Sequence, residues 1–172
     1  LIMKLAIIGY GRMGKMVENV AINRGHDILH IIDKPGISQA SMLQEVDAAI
    51  EFTQPKSVLQ NIESCFESNC PIVTGTTGWH DKLDEVKKLC DKHRGSLFYA
   101  SNFSLGVNVM FRLNRYLAEM MNKQEAYSIF MEESHHKEKL DAPSGTAVTL
   151  AEDLLKYIKR KNNSKEIEFG KD

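Results

Sequence analysis

Residues Glu132 to Ala147 read EESHHKEKLDAPSGTA. Within this stretch His135 and Lys139 stand four positions apart. Even separations share a face of an extended chain, and i and i+4 share a face of a helix, so the two side chains can converge in either conformation. Histidine ordinarily titrates near about 6.5 and lysine near about 10.4. One can therefore shuttle a proton while the other stays a cationic hydrogen-bond donor. Pro143 stops any preceding helix and Ser144 can cap the next. Gly145 and Thr146 then offer free amides at a helix start, where a carboxylate or phosphate binds. An acid–base pair beside an anion pocket suits reduction of a negatively charged substrate. The same residues also suit a charged surface turn before a capped helix, and spacing alone does not choose between the two. The pattern argues against a metal: adjacent histidines on a strand face opposite ways. The other histidines, at 26, 30, 80 and 93, have no metal-ligand spacing.

A second chemical motif is GYGRMG, Gly9 to Gly14. It follows the apolar run Lys4–Ile8 and precedes apolar residues at helical spacing (Met13, Met16, Val17, Val20, Ala21), with Gly25 as a helix stop. Gly9 permits a tight turn, Gly11 lets backbone approach a pyrophosphate, and Gly14 lets helix pack on strand. The helix start supplies amides and a positive dipole end for phosphates, which Arg12 could also reach. Asp33, ending the apolar run Ile28–Ile32, is the acid expected about 20 residues on, where it binds ribose hydroxyls. Lys34 beside it could accept a 2′-phosphate, so NAD and NADP both remain open.

These residues need elements to hold them. Further strands are expected at Ala48–Thr53, Pro71–Thr74 and Leu97–Ala100, and helices at Ser57 to about Asn69 and Asp81–His93. Strands alternating with helices on short connections imply a parallel sheet covered on both faces, an α/β, Rossmann-like doubly wound fold over residues 1–101. Thr53, GTTG (Gly75–Gly78) and SNF (Ser101–Phe103) all follow strands, the edge where such sheets bind ligands. Together they suggest a cofactor groove. Residues 102–172 form a second unit. Val107–Met121 is helical, Tyr127–Glu132 reads as a strand, and residues 146–160 read as a helix with Val148, Ala151, Leu155 and Ile158 on one stripe. Roughly 70 residues with one strand make a poor sheet-backed core, so this α+β substrate domain is expected to be truncated, with more chain after Asp172.

Bulk properties narrow the classes. The 172 residues are 42% hydrophobic and 26% charged, with net charge −1. No basic stripe suggests nucleic acid, and no apolar run approaches the ~18 residues of a membrane span. The first residues lack a secretory pattern. The three cysteines, Cys65, Cys70 and Cys90, are an odd, unpatterned set, expected as buried free thiols in a reducing, cytoplasmic setting.

EESHHKEKLDAPSGTA resembles the signature of the dihydrodipicolinate reductase family, Glu-x-x-His-His-x-x-Lys-x-Asp-x-Pro-Ser-Gly-Thr-Ala. It is kept here at Glu132, His135, His136, Lys139, Asp141 and Pro143 to Ala147. GYGRMG, EFTQP, GTTG and SNFSLGVN resemble family segments in the same order, over Met3 to at least Leu155. Ser101 departs from the proline that many members carry. The resemblance implies NADH- or NADPH-dependent reduction of 4-hydroxy-tetrahydrodipicolinate, a small dicarboxylate, to tetrahydrodipicolinate in diaminopimelate and lysine biosynthesis. It implies His135 as acid–base residue, Lys139 as proton donor, and His136, Gly145 and Thr146 as substrate contacts. It also implies Gly9, Tyr10, Gly11, Arg12, Met13 and Asp33 at the cofactor's phosphates and ribose, and Gly75, Thr76, Thr77, Ala100, Ser101, Asn102 and Phe103 beside its nicotinamide. A homo-tetramer is implied for the complete protein. The rival expectations are a nucleotide-binding sensor that does not catalyse, an oxidoreductase acting on another keto or imino acid, and a structural α/β module.

Overall fold

The computed structural model describes residues 1–33, 39–135 and 143–159. They fall into two compact units divided between Ser101 and Asn102. In the first, the order is β1 (Lys4–Ile8), α1 (Arg12–Asn23), β2 (Asp27–Ile32), α2 (Gln39–Leu43), β3 (Ala48–Glu51), α3 (Val58–Glu67), β4 (Ile72–Thr74), a 3-10 turn (His80–Lys82), α4 (Leu83–His93) and β5 (Leu97–Tyr99). The second holds α5 (Leu105–Met121) and α6 (Gly145–Tyr157).

All five strands are parallel, in the order β2-β1-β3-β4-β5. This is the Rossmann-like sheet expected from the alternation. The two faces follow from the period of a strand. Ala6, Ile8, Ala49 and Ile72 point into a core closed by Val58, Ile62, Cys65 and Phe66 of α3, Val86 of α4 and Leu43 of α2. On the other face α1 packs against β1, where a Cβ on Gly14 would lie 3.4 Å from Ile7. That second face is covered unevenly. Ile7 is fully buried, but Phe98, in the same row through Ile50 and Val73, is 62% exposed. Of the α1 residues expected on its inner stripe, Ala21 is buried while Met13, Met16 and Val20 are exposed.

Helices α1, α3 and α4 end in the same way. The amides of His26, Cys70 and Gly95 reach back five residues to the carbonyls of Ala21, Cys65 and Cys90, at 3.0, 2.8 and 2.8 Å. The residues just before them, Gly25, Asn69 and Arg94, take φ of +77°, +53° and +52°. This closure satisfies carbonyls that a helix end leaves bare and turns the chain into the next strand. Gly25 was readable as a stop and asparagine is the next commonest residue at such a position, whereas an arginine at positive φ carries no local signal. Helix α2, five residues long, was not expected from the sequence at all. Cys65 and Cys70 are buried free thiols and Cys90 is half-buried.

One expectation for the second unit fails and another is met only in part. Residues 127–132 form no strand, and no strand occurs among the described residues of this unit. A strand needs a partner for its ladder, and among the described residues this segment has none. Of the stripe expected along α6, Ile158, just past the helix end, is buried and Ala151 is half-buried, whereas Val148 and Leu155 are 38% and 39% exposed and Ala147 is the buried residue within the helix. Its neighbour α5 sets that rotation: Asn114 Nδ2 donates to the Leu150 carbonyl at 3.1 Å and Arg115 lies 3.7 Å from Asp153.

Candidate functional site

The carboxyl edge of the sheet collects most of the residues singled out in the first unit. At the β1–α1 turn, Gly9 takes φ +92°, and a Cβ there would lie 2.1 Å from the Phe52 carbonyl oxygen. A Cβ on Gly14 would lie 2.1 Å from the Gly9 oxygen. Gly11 differs, since a Cβ there would meet nothing within 4 Å. Two glycines are thus required by packing, and the third faces open space. Gly11 is also the cap residue of α1, which has no side-chain cap and no acid in its first turn. A helix start left this way can accept an anion on its amides. By contrast, Ser104 and Ser144 cap α5 and α6 with their own hydroxyls.

Asp33 at the end of β2 comes back to the same turn, where its Oδ1 accepts the Tyr10 amide at 2.7 Å. The Tyr10 hydroxyl donates to Glu18, whose carboxylate pushes the phenol's ionisation up. Lys15 lies 5.7 Å from the Tyr10 ring centre. Arg12 and Met13 are exposed in the first turn of α1. The strand order reverses between β1 and β3, the position where sheets of this type bind ligands.

Beyond β4, Gly75 packs flat on Phe52, where a Cβ would lie 2.0 Å from Cε1. Thr77 is exposed, whereas Thr76 is buried. Each polar group of Thr76 has a partner within the chain. Its hydroxyl donates to Glu51 at 3.0 Å, its amide donates to Thr74 Oγ1 at 3.2 Å, and its carbonyl accepts Trp79 Nε1 at 2.7 Å. The Ala100 amide donates to the Thr74 carbonyl at 3.3 Å, and Ser101 is exposed. In the second unit Asn102 closes a turn, its Oδ1 accepting the Ser104 amide at 2.8 Å, and Phe103 is 45% exposed.

At the start of α6, Ser144 Oγ accepts the Ala147 amide at 3.1 Å. Glu133 sits on that cap. Its Oε2 accepts the Ser144 amide at 2.9 Å and its Oε1 accepts the Ser144 hydroxyl. His135 Nε2 lies 2.7 Å from the same Oε1. A carboxylate that orients an imidazole is the arrangement acid–base chemistry uses, and here it also links that imidazole to a helix start. Gly145 is exposed with open space around its Cα, and its carbonyl accepts the Thr149 hydroxyl at 2.9 Å. His136 and Lys139 lie outside the described residues, as do Lys34 and Asp141.

The family model described as dihydrodipicolinate reductase, N-terminus, matches residues 3–103, and that described as dihydrodipicolinate reductase, C-terminus, matches residues 106–171. The chain belongs to the dihydrodipicolinate reductase family. Among its relatives, the 4-hydroxy-tetrahydrodipicolinate reductase of Christiangramia forsetii is 47% identical over 153 residues, covering 89% of this chain and 64% of that protein. The protein of the same name from Staphylococcus carnosus is 36% identical over 166 residues, covering 91% of this chain and 65% of the relative. The chain therefore spans about two thirds of the length of these reductases. A solved dihydrodipicolinate reductase from Paenisporosarcina sp. TG-14, with dipicolinate bound, superposes with a TM-score of 0.75 at 22% identity, over 99% of this chain and 72% of that one. At that identity the likeness concerns the fold. Among the described residues, no helix is long and apolar enough to cross a membrane.

Two members of this dihydrodipicolinate reductase chain's polar clusters escaped the sequence reading, Glu51 and Glu133. The signal for Glu133 was available, since it stands two positions before His135 and shares its face in an extended chain. The Ser144 hydroxyl, then the Ser144 amide, and His135 hold the Glu133 carboxyl down to about 2, against a burial effect that raises it. Because the folded value lies below the ordinary one, the contact stabilises the fold above about pH 4.5 and is lost as pH falls through about 2. Glu133→Gln is thus expected to lower the urea midpoint at neutral pH, with the gap to wild type closing as pH falls across that window. A gap independent of pH would show that the charge of Glu133 contributes nothing to the cap.

Proposed function

We propose that this chain carries the catalytic groups of an NADH- or NADPH-dependent reductase that converts 4-hydroxy-tetrahydrodipicolinate to tetrahydrodipicolinate. The observation that carries this reading is the contact of His135 with Glu133 at a capped helix start, in a chain that matches both family models and opens on an uncapped glycine turn. Residues 1–101 act as the dinucleotide-binding part and residues 102–172 as part of the substrate domain.

The residues of the first unit fit a nicotinamide dinucleotide. Gly11 leaves open space where backbone can approach a pyrophosphate, and the amides that follow it are uncapped. Asp33 accepts the Tyr10 amide on Oδ1, and its carboxylate at the end of β2 is the acid that meets ribose hydroxyls. Both cofactors suit this arrangement. Gly75 and Thr77 line the nicotinamide side with Ala100 and Ser101, while Thr76 supports that loop from beneath. When bound, the nicotinamide supplies hydride. The chain's own work is to orient the substrate and to handle the proton. His135, oriented by Glu133, and Lys139 deliver or organise the proton that accompanies reduction of the ring C=N, and their cationic forms favour negative charge developing on the substrate. The start of α6, with His136, Gly145 and Thr146, receives a carboxylate of the dicarboxylate substrate. The complete protein is expected to act as a cytoplasmic homo-tetramer.

A coupled assay tests the reading. Freshly generated substrate is supplied, and loss of nicotinamide absorbance is followed with each cofactor, for this chain and for one extended to the length of its relatives. Substrate-dependent oxidation of NADH or NADPH is expected. Cofactor binding with no substrate-dependent oxidation in either chain would leave a nucleotide-binding sensor instead.

A further inference from the structure

Glu51 ends β3 with its side chain wholly buried, at 0% exposure. Its Oε1 accepts from the Thr53 hydroxyl, from the Thr53 amide at 3.1 Å, from the Thr76 hydroxyl at 3.0 Å and from Asn61 Nδ2 at 3.4 Å. Its Oε2 accepts from the Thr74 hydroxyl. No lysine, arginine or histidine among the described residues forms an ion pair with it. Burying a carboxylate without a counter-ion is costly, and hydrogen bonds must offset that cost.

The wiring around it runs one way. Thr74 Oγ1 accepts the Thr76 amide at 3.2 Å, Thr76 Oγ1 accepts the Thr53 amide at 2.8 Å, and Thr53 Oγ1 accepts Asn61 Nδ2 at 3.2 Å. Each hydroxyl oxygen thus already receives an N–H, and its own proton is directed at Glu51. A carboxylate is acceptor-only and can receive all of them, whereas a carboxamide has one oxygen and brings two donors of its own. The groups joined lie at the ends of β3 and β4, on the sheet edge that carries the glycine turn. The chain of contacts continues outward. Trp79 donates to the Thr76 carbonyl, and its ring lies 5.1 Å from His80 and 5.5 Å from Tyr99.

We propose that Glu51 is a positioning residue that, through Thr53, Thr74 and Thr76, holds the loops after β3 and β4 in the one geometry that admits the nicotinamide end of the cofactor. This inference rests on the dinucleotide reading above. Glu51 touches no ligand itself, and its effect is carried by where the backbone of Gly75 to Thr77 lies. A displacement of that backbone by about 1 Å suffices to weaken a site built on it by an order of magnitude or more.

Trp79 is the sole tryptophan of the chain, and its bond to Thr76 makes its fluorescence a direct probe of this loop. NADH and NADPH are titrated against the full chain by energy transfer from Trp79, beside amide exchange at Thr53 and Thr76. For Glu51→Gln we expect roughly tenfold weaker binding by the folded protein, a shift in Trp79 emission and faster exchange at both amides. Partial return of affinity is expected with Glu51→Asp. Thr74→Val removes the donor to Glu51 and the acceptor of the Thr76 amide at nearly constant shape and should move in the same direction, while Thr74→Ser keeps wild-type affinity. That pair decides the matter if Glu51→Gln does not fold. A merely structural role would lower the urea midpoint and leave the affinity of the folded fraction alone, and unchanged affinity in folded Glu51→Gln or Thr74→Val overturns the inference. A wild-type chain that binds neither nucleotide removes the reading beneath it, and the two failures are told apart by that one titration.

Discussion

Gly9→Ala is expected to abolish NADH and NADPH binding and to remove much of the stability of the first unit. Two effects add. The backbone at Gly9 takes φ +92°, where an L side chain is strained by about 1–3 kcal/mol. The new Cβ would also lie 2.1 Å from the Phe52 oxygen and 2.7 Å from both the Phe52 carbonyl carbon and Thr53 Cγ2. Two of those neighbours are backbone and cannot yield without moving β3, an overpacking cost of about 1–3 kcal/mol or more. A domain has only about 5–15 kcal/mol to lose. Gly11→Ala is the matched control. Its φ is −76° and its Cβ meets nothing within 4 Å. The urea midpoint should therefore stay near wild type while nucleotide binding weakens, because the methyl group enters the space kept for a phosphate. Equal stability losses in the two variants would show that Gly11 is also a packing glycine.

The second large effect concerns turnover. His135→Gln is expected to lower kcat by about 10²–10⁴-fold, the usual worth of a positioned general acid or base, while cofactor affinity changes little. Glutamine keeps a polar group of similar reach but cannot exchange a proton. Glu133→Gln should lower kcat less, since the imidazole remains but loses the carboxylate that orients it at 2.7 Å. The measurement is steady-state kinetics on freshly generated substrate, with cofactor affinity taken separately by Trp79 fluorescence. Unchanged kcat in His135→Gln would take the acid–base role away from His135. A fall in cofactor affinity equal to the fall in kcat would place His135 in binding rather than proton transfer.

The amino-acid sequence by itself determined the parallel-strand alternation, the glycine turn and the acid that answers it. Each of these is written locally, in an apolar run ending at Gly9, in helical spacing, and in Asp33 at the end of β2. A strand buried on both faces or a turn needing positive φ constrains its own residues, so the signal survives without knowledge of partners. The His135 stretch was legible in the same sense, as a motif. What only the tertiary structure decided is which polar groups meet. Glu51 receives Thr74 and Thr76 from 23 and 25 positions away, and Glu133 receives Ser144 from 11 positions away. Nothing in the local composition of β3 marks a buried carboxylate, and Thr76 reads as a cofactor-facing loop residue until its partners within the chain are known. The buried stripe of α6 and the missing strand at 127–132 follow the same logic, because a helix face or a strand is chosen by what packs beside it. Local sequence fixes the conformations a segment can adopt at low cost, while burial and hydrogen-bond pairing belong to the assembled chain.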